Sequence, residues 1–338
     1  MTLPPVTVPA ATVPPDTVPS GAVTPGNVPP GTASSGRPTR RHRLTGLLLA
    51  SPPLLLVAVF VGFPILVAVA YSLGHTGGPN ATVSLIAKDQ VTVDAWWKQS
   101  LGAYTQLFAD DRFRRDLVVT VVVALLTTAI VLVLAWVIAL YVRLTDTWAS
   151  RMLSALAVVP MFIPVVIASW AILTFYSSDG FVRSVASHLG LTAPVWGYTT
   201  TAVVIGLVWT HLPFATLMIV SGVQGVPDAL IEAGRDAGAS IPRVVWKVVA
   251  PMALVPTVIA GTFTAIGTLG SFTVPYFTGP NAPKMLGVDM ADYFTSYNLP
   301  QASVVMAAVV FAVAAGFGVV YVWANYRGAS DPAAMEQS

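Results

Sequence analysis

The sequence predicts an all-α membrane protein, a bundle of six transmembrane helices behind a disordered, proline-rich tail. Of its 338 residues, 55% are hydrophobic and only 9% are charged, too few to cover a water-facing surface. From Leu44 onward, apolar runs recur at the length of about 20 residues that roughly 30 Å of hydrocarbon demands. They cover Leu47 to Tyr71, Leu117 to Tyr141, Met152 to Phe175, Thr201 to Ser221, Val248 to Leu269, and Ser303 to Trp323. Turn formers and charges separate them, as at Gly77 to Pro79, Asp110 to Arg112, Asp179 and Gly180, and Gly279 and Pro280. Helices satisfy their own backbone groups, which lipid cannot do for them.

Ahead of the first run, residues 1–36 hold nine prolines and repeat Thr-Val-Pro from Thr7, Thr12 and Thr17. Such a stretch has no apolar face to bury and is expected to be disordered and polyproline-like. No apolar signal-peptide core precedes it, so no cleavable export signal is expected. The organisation is therefore a tail with a basic end over 1–43, a transmembrane domain over 44–327, and a short tail over 328–338.

Orientation follows from the basic residues. With the N-terminus inside, ten of the seventeen lie on inner segments, and Arg37, Arg40, Arg41 and Arg43 stand just before the first span. An even number of spans returns the C-terminus to the same side, the cytoplasm. The largest outer loop runs from about Ser72 to Asp116, and Tyr104 to Leu117 mixes aromatic and charged residues in the manner of a short interfacial helix.

Between the fourth and fifth runs, about 224–250, lies a polar insert that faces the cytoplasm in this orientation. Leu230, Ala233, Gly234 and Ala237 recur at helical spacing and form one small apolar side, with Asp228, Glu232, Arg235 and Asp236 on the other. Pro227 suits the first turn, Gly238 the exit, and Ser240 the cap of the next helix. Pro251 then opens a membrane helix.

This insert resembles the coupling loop of permease subunits of bacterial ABC importers of the type I kind. Glu232, Ala233, Gly238, Ala239 and Pro251 fall in the family's register, while Gly234 replaces the usual Ala, and Val245 stands where an aromatic is usual, with Trp246 next. The resemblance covers roughly residues 45–325. It implies that Glu232, Ala233, Gly234, Arg235, Asp236, Gly238, Ala239 and Pro251 engage an ATP-binding subunit, present in two copies. It further implies a second permease subunit or a second copy of this chain, an extracytoplasmic solute-binding protein, and a bacterial cytoplasmic membrane. ATP and Mg would bind to the partner, with no cofactor on this chain. The run Arg235 to Ser240 and the outer stretches Gly270 to Pro280, Met285 to Met290, and Asn298 to Ser303 resemble permeases of the polyamine, ferric iron and aminoethylphosphonate group. A polyamine-like solute is expected, with ferric iron, aminoethylphosphonate or sugar as alternatives.

Two further features have a bland and a functional explanation. On the fifth run Thr257, Gly261, Thr264, Thr268 and Ser271 form a polar and small stripe, which either lines a hydrated pathway or lets helices approach closely. His211 is the only strongly ionisable side chain well inside an apolar run; it is a pathway candidate or a hydrogen-bonding partner of a neighbouring helix.

Exclusions complete the picture. No Gly-x4-Gly-Lys-Ser/Thr loop occurs, so energy from ATP would require a partner. There is no cysteine, no His-Glu-x-x-His and no Ser/His/Asp arrangement, so no catalytic residue or metal site is expected. A net charge of +2 does not suit nucleic acid. An ion-coupled secondary transporter would show intramembrane carboxylates or an internal repeat, and a membrane-embedded enzyme would cluster polar groups at one face.

Overall fold

The computed structural model describes residues 51–75, 89–95, 97–145, 147–281 and 283–329, so the proline-rich tail lies outside the described residues. Contacts divide the chain into Met1–Ala58 and Val59–Ser338, and the packing described below belongs to the second unit.

Each apolar run is helical, but two of the six are broken. α1 (Ser51–Ser72), α3 (Asp111–Leu144), α7 (Thr200–Gln224) and α13 (Pro300–Ala329) follow the expected runs, extended where polar residues continue the helix beyond the hydrocarbon. A short α2 (Gly102–Ala109) precedes α3, as the interfacial composition of that loop predicts. Asp110 ends the first helix and caps the second, its carboxylate accepting the Arg112 N–H at 2.8 Å.

The third run is corrected. Instead of one helix over Met152 to Phe175, the chain forms α4 (Trp148–Val158), a tight turn over Val159–Phe162, and α5 (Val165–Tyr176). Pro160 lacks an N–H to donate, and Pro164 disfavours helical backbone at Ile163, which is extended at ψ 122°. α5 then leads into α6 (Phe181–His188), and together they make an apolar stretch of spanning length over Val165–His188.

The fifth run is also corrected. α9 (Ile241–Met252) and α10 (Leu254–Leu269) meet at a 71° bend, so the membrane helix proper starts at Leu254 rather than Val248. Pro251 sits in the turn just before the bend, within a stretch whose Val245–Val249 portion is wound as a π-helix. The Ala253 carbonyl accepts both the Thr257 N–H at 3.1 Å and the Thr257 hydroxyl at 2.7 Å, so it has two donors at the start of α10.

Between α10 and α13 the connecting segment holds two helices that the apolar runs do not predict, α11 (Thr273–Thr278) and α12 (Leu286–Thr295). Both are too short for a spanning-length search to find.

α3, α7 and α10 pack together at the centre of the bundle. Their inner halves meet through small residues, with Val131, Ala135 and Ala139 of α3 against Ala215, Ile219 and Val223 of α7 and Ala260 of α10. Towards the outer side Val123 packs with Val203, Leu207 and Val274, and Phe113 joins Leu107, Leu286 and Met306. Lipid is as apolar as leucine, so helices associate through close van der Waals approach rather than by hiding from water. Large side chains such as Phe60, Val122, Val133 and Phe311 accordingly remain exposed.

The approach is close beside Gly222 of α7, where an added Cβ would lie 2.7 Å from Pro256 Cγ and 2.9 Å from its Cβ. A proline ring cannot rotate out of the way. Gly222→Val is expected to destabilise the α7–α10 contact by about 1–3 kcal/mol, read as earlier thermal unfolding of the purified protein in detergent. An unchanged melting temperature would show that the contact carries no packing constraint.

Candidate functional site

The polar insert between the fourth and fifth runs folds as α8 (Asp228–Asp236), a nine-residue helix. Its exit is built as expected. Gly238 has φ +81°, its N–H donates to the Arg235 carbonyl at 2.8 Å, and the Ala239 N–H donates to the Gly234 carbonyl at 3.1 Å. This pair of bonds is the Schellman ending, which needs a left-handed residue at that position. Pro227 stands at the cap position rather than inside the first turn. Ser240 precedes α9 as expected, but its side chain makes no capping bond; its carbonyl accepts from Arg243 and Val244.

The buried side of α8 differs from the side that periodicity marks out. Ile231 and Gly234 face the protein, and an added Cβ on Gly234 would come 3.2 Å from Val244. Leu230, Ala233 and Ala237 are exposed, Leu230 at 44%. Glu232, Arg235 and Asp236 are exposed as well, and Ala239 is half-buried. Thus α8 presents a small apolar strip flanked by charges that nothing among the described residues covers.

Its start is tied to the end of α3. Arg143, in the last turn of α3, donates through Nη2 to the Val226 carbonyl at 3.1 Å and forms an ion pair with Asp228. Asp228 also lies in the first turn of α8, where a carboxylate complements the helix dipole.

The membrane candidates do not share one environment. Thr264 and Thr268 are 1% and 0% exposed, turned into the bundle, and neither hydroxyl has a partner. Their candidate pathway face is closed within this chain, because α10 presents that side to its neighbours. Gly261 abuts Leu132, Thr257 bonds Ala253, and Ser271 is half-buried beyond the helix end. The half-buried His211 ring lies over Gly267, where an added Cβ would fall 2.7 Å from its Cε1. These contacts are those of close helix packing.

A polar network at the helix ends opposite α8 has no single signature in the sequence. Arg112 of α3 donates to Asp289 of α12 at 2.6 Å and to the Tyr297 hydroxyl at 2.9 Å, and its guanidinium lies 5.2 Å from the Tyr297 ring centroid. Asp116 accepts the Lys284 N–H at 3.0 Å, and Thr120 accepts the Leu286 N–H at 2.9 Å. Lys284 Nζ reaches Asp292 at 2.5 Å, and the Tyr293 hydroxyl donates to Asp110 at 2.8 Å. Burial pushes the Asp289 carboxyl above the usual carboxylate range, and the Arg112 guanidinium opposes that shift. Arg112 and Asp289 are 177 residues apart, and no local pattern joins them. Asp289 among the apolar residues that open α12 was the available signal.

With this geometry in place, comparison with known proteins defines the class. Residues 131–327, more than half of the chain, match the family described as the binding-protein-dependent transport system inner membrane component, and the chain belongs to that family. It is a multi-pass membrane protein and a permease subunit of an ABC importer. It is 26% identical over 261 residues to the sulfoquinovosyl glycerol transport system permease protein SmoG of Agrobacterium fabrum, covering 74% of this chain and 79% of that one. To the spermidine/putrescine transport system permease protein PotB of Escherichia coli it is 28% identical over 191 residues, 56% of this chain and 69% of that one. Its fold is similar to that of a chain of a bacterial alginate ABC transporter solved with an alginate pentasaccharide-bound periplasmic protein. That likeness has a TM-score of 0.64 at 15% identity and covers 85% of this chain and 94% of that one.

The burial of Thr264 and Thr268 makes a measurable difference. Replacing both with Val keeps the volume nearly constant and removes two hydroxyls that have no partner, so thermal stability of the purified protein should hold or rise by up to about 1 kcal/mol. A clear loss of stability would reveal hydroxyl bonds in the native protein that this packing lacks.

Proposed function

We propose that α8 is the docking element through which an ATP-binding subunit drives this permease, and that the chain supplies half of the pathway for a small solute. The observation that carries this is the exposed strip of Leu230, Ala233 and Ala237 on a helix whose other side is anchored to the bundle. Small side chains let another backbone come close, and Glu232, Arg235 and Asp236 beside them give the contact a register. Two ATP-binding subunits, holding ATP and Mg, would sit beneath this chain and a second permease subunit or second copy. A binding protein would deliver solute to the outer face. Both termini of this chain then lie in the cytoplasm.

In such an assembly, ATP binding brings the two nucleotide subunits together and carries the docked helices with them. The bundle opens outward to receive solute, and hydrolysis resets it. A two-state partner is thereby joined to a two-state bundle, as coupling requires.

For the solute, a polyamine is supported by the outer-segment resemblance and by the relation to PotB. A sugar conjugate is supported by the relation to SmoG, which extends over more of the chain. The outer carboxylates do not favour the cation, because Asp110, Asp289 and Asp292 already engage Tyr293, Arg112 and Lys284. Selectivity is then held by the binding protein. Calorimetry on the binding protein encoded beside this chain separates the two: spermidine binding without sulfoquinovosyl glycerol binding supports the polyamine, and the reverse supports the sugar conjugate.

Gly238→Asp tests the docking role. A side chain at φ +81° strains the backbone by about 1 kcal/mol or more, and the added charge intrudes on the docking face. Insertion depends on the apolar runs and should persist, while uptake and coupled ATP hydrolysis fall together at matched permease levels. Full uptake with normal ATPase association would remove the assignment of α8 as the docking element.

A further inference from the structure

We infer that α3 is a rod that carries the position of α8 on the cytoplasmic side to α12 on the outer side, with Arg143 and Arg112 as its end attachments. This rests on α8 being the element that the ATP-binding partner moves.

The first support is mechanical. α3 is one uninterrupted α-helix of 34 residues, Asp111–Leu144, containing neither glycine nor proline. At 1.5 Å per residue it is roughly 50 Å long, more than the hydrocarbon thickness. Its buried residues, from Phe113 through Thr120, Thr127 and Val131 to Ala139, keep to one side along its length. Four of the other described spans contain breaks or breakers: a π-turn in α1, the Pro160 and Pro164 interruption before α5, Pro213 inside α7, and the 71° bend before α10; α13 is continuous but holds Gly316 and Gly318. A displacement entering such a helix can be absorbed by local backbone rotation at the break. In α3 no residue of that kind is present, so displacement at one end reaches the other.

The second support is how the ends are attached. At the inner end Arg143 holds both the Val226 carbonyl and the Asp228 carboxylate, the residues through which the chain enters α8. Its side chain is 19% exposed while that of Asp228 is 75% exposed, so the ion pair is open to water and the partly buried bond to the Val226 carbonyl is the shielded half of the attachment. At the outer end three successive turns of α3 grip the approach to α12 and α12 itself. Arg112 binds Asp289, Asp116 accepts from the Lys284 backbone, and Thr120 accepts from the Leu286 backbone. These are attachments of defined direction at opposite ends of the same helix, and they make Arg112 and Arg143 positioning residues for coupling.

The test uses the complete transporter, purified through a tag on this chain with its ATP-binding subunits and placed in lipid nanodiscs. The chain has no cysteine, so Ser296→Cys just beyond α12 provides one exposed reporter, and maleimide labelling of this chain is followed with and without ATP and vanadate. In the parent the labelling rate should differ severalfold between the two states. Arg143→Gln should abolish that difference while the ATP-binding subunits stay bound. Asp228→Asn, which breaks the same pair from its exposed partner and leaves the core untouched, should do the same. Exchanging the pair, Arg143→Asp with Asp228→Arg, should restore part of the response. Arg112→Gln should abolish it from the other end, and the double variant Arg112→Gln/Arg143→Gln should be no worse than either alone, because two breaks in one series interrupt the same path. A merely structural role would instead leave each single variant with part of the response and make the double variant worse than either. Persistence of the nucleotide-dependent difference in both Arg143→Gln and Asp228→Asn overturns the rod. If the parent itself fails to bind ATP-binding subunits, the docking role of α8 is what fails.

Discussion

In a lipid solvent, polar groups can be placed only where they find partners within the protein, and that constraint orders the whole molecule. Backbone groups are satisfied within helices, and the side-chain ion pairs sit at helix ends, as Arg112 with Asp289 and Arg143 with Asp228. Between those ends the helices have only contact to hold them. The centre is accordingly built from alanine, valine and threonine, with Ala135, Ala139, Ala215 and Ala260 bringing α3, α7 and α10 together. Thr264 and Thr268 belong to this arrangement, since a small hydroxyl side chain packs much as valine does.

The same constraint explains where the bundle can change shape. Breaking a helix in lipid releases carbonyls and N–H groups, so breaks are tolerated where neighbouring groups accept them. At the α9–α10 bend Ala253 is fully buried among Val223, Val226 and Val249, and both its backbone groups stay paired: its N–H donates to the Val249 carbonyl and its carbonyl accepts the Thr257 N–H and hydroxyl. The interruption before α5 is held by the turn over Val159–Phe162. α3 passes both without a break of its own. Flexible and stiff elements thus stand side by side, and a movement of α8 can bend one while it shifts the other.

Much of this was legible in the sequence, for identifiable reasons. Four apolar runs gave their helices to within a few residues, because length and hydropathy are summed over many positions. Gly238 was legible because a helix exit depends on a single residue with access to positive φ. The breaks were not, because Pro160, Pro164 and Pro251 lie within runs whose average hydropathy hides them. Nor were α11 and α12, which fall below spanning length. Periodicity correctly marked an apolar strip on α8 but could not say which side was covered; Ile231 and Gly234 took that place and left Leu230 and Ala233 outside. Arg112 and Asp289 required the fold, since only tertiary structure brings them together.

The exposed strip on α8 raises the question of why so short a helix forms at all. Nine residues are too few to be stable alone in water, given the cost of nucleating the first turn. Here the first turn is fixed from outside by Arg143, the last is closed by the bonds at Gly238 and Ala239, and the middle rests on Val244 through Gly234. None of these supports uses Leu230, Ala233 or Ala237. The face left free is therefore not needed to hold the helix, and a partner can engage it without competing with the helix's own anchors. In the proposed assembly, that separation of anchoring face from free face would let α8 take load from another subunit and pass it into the bundle rather than unfold.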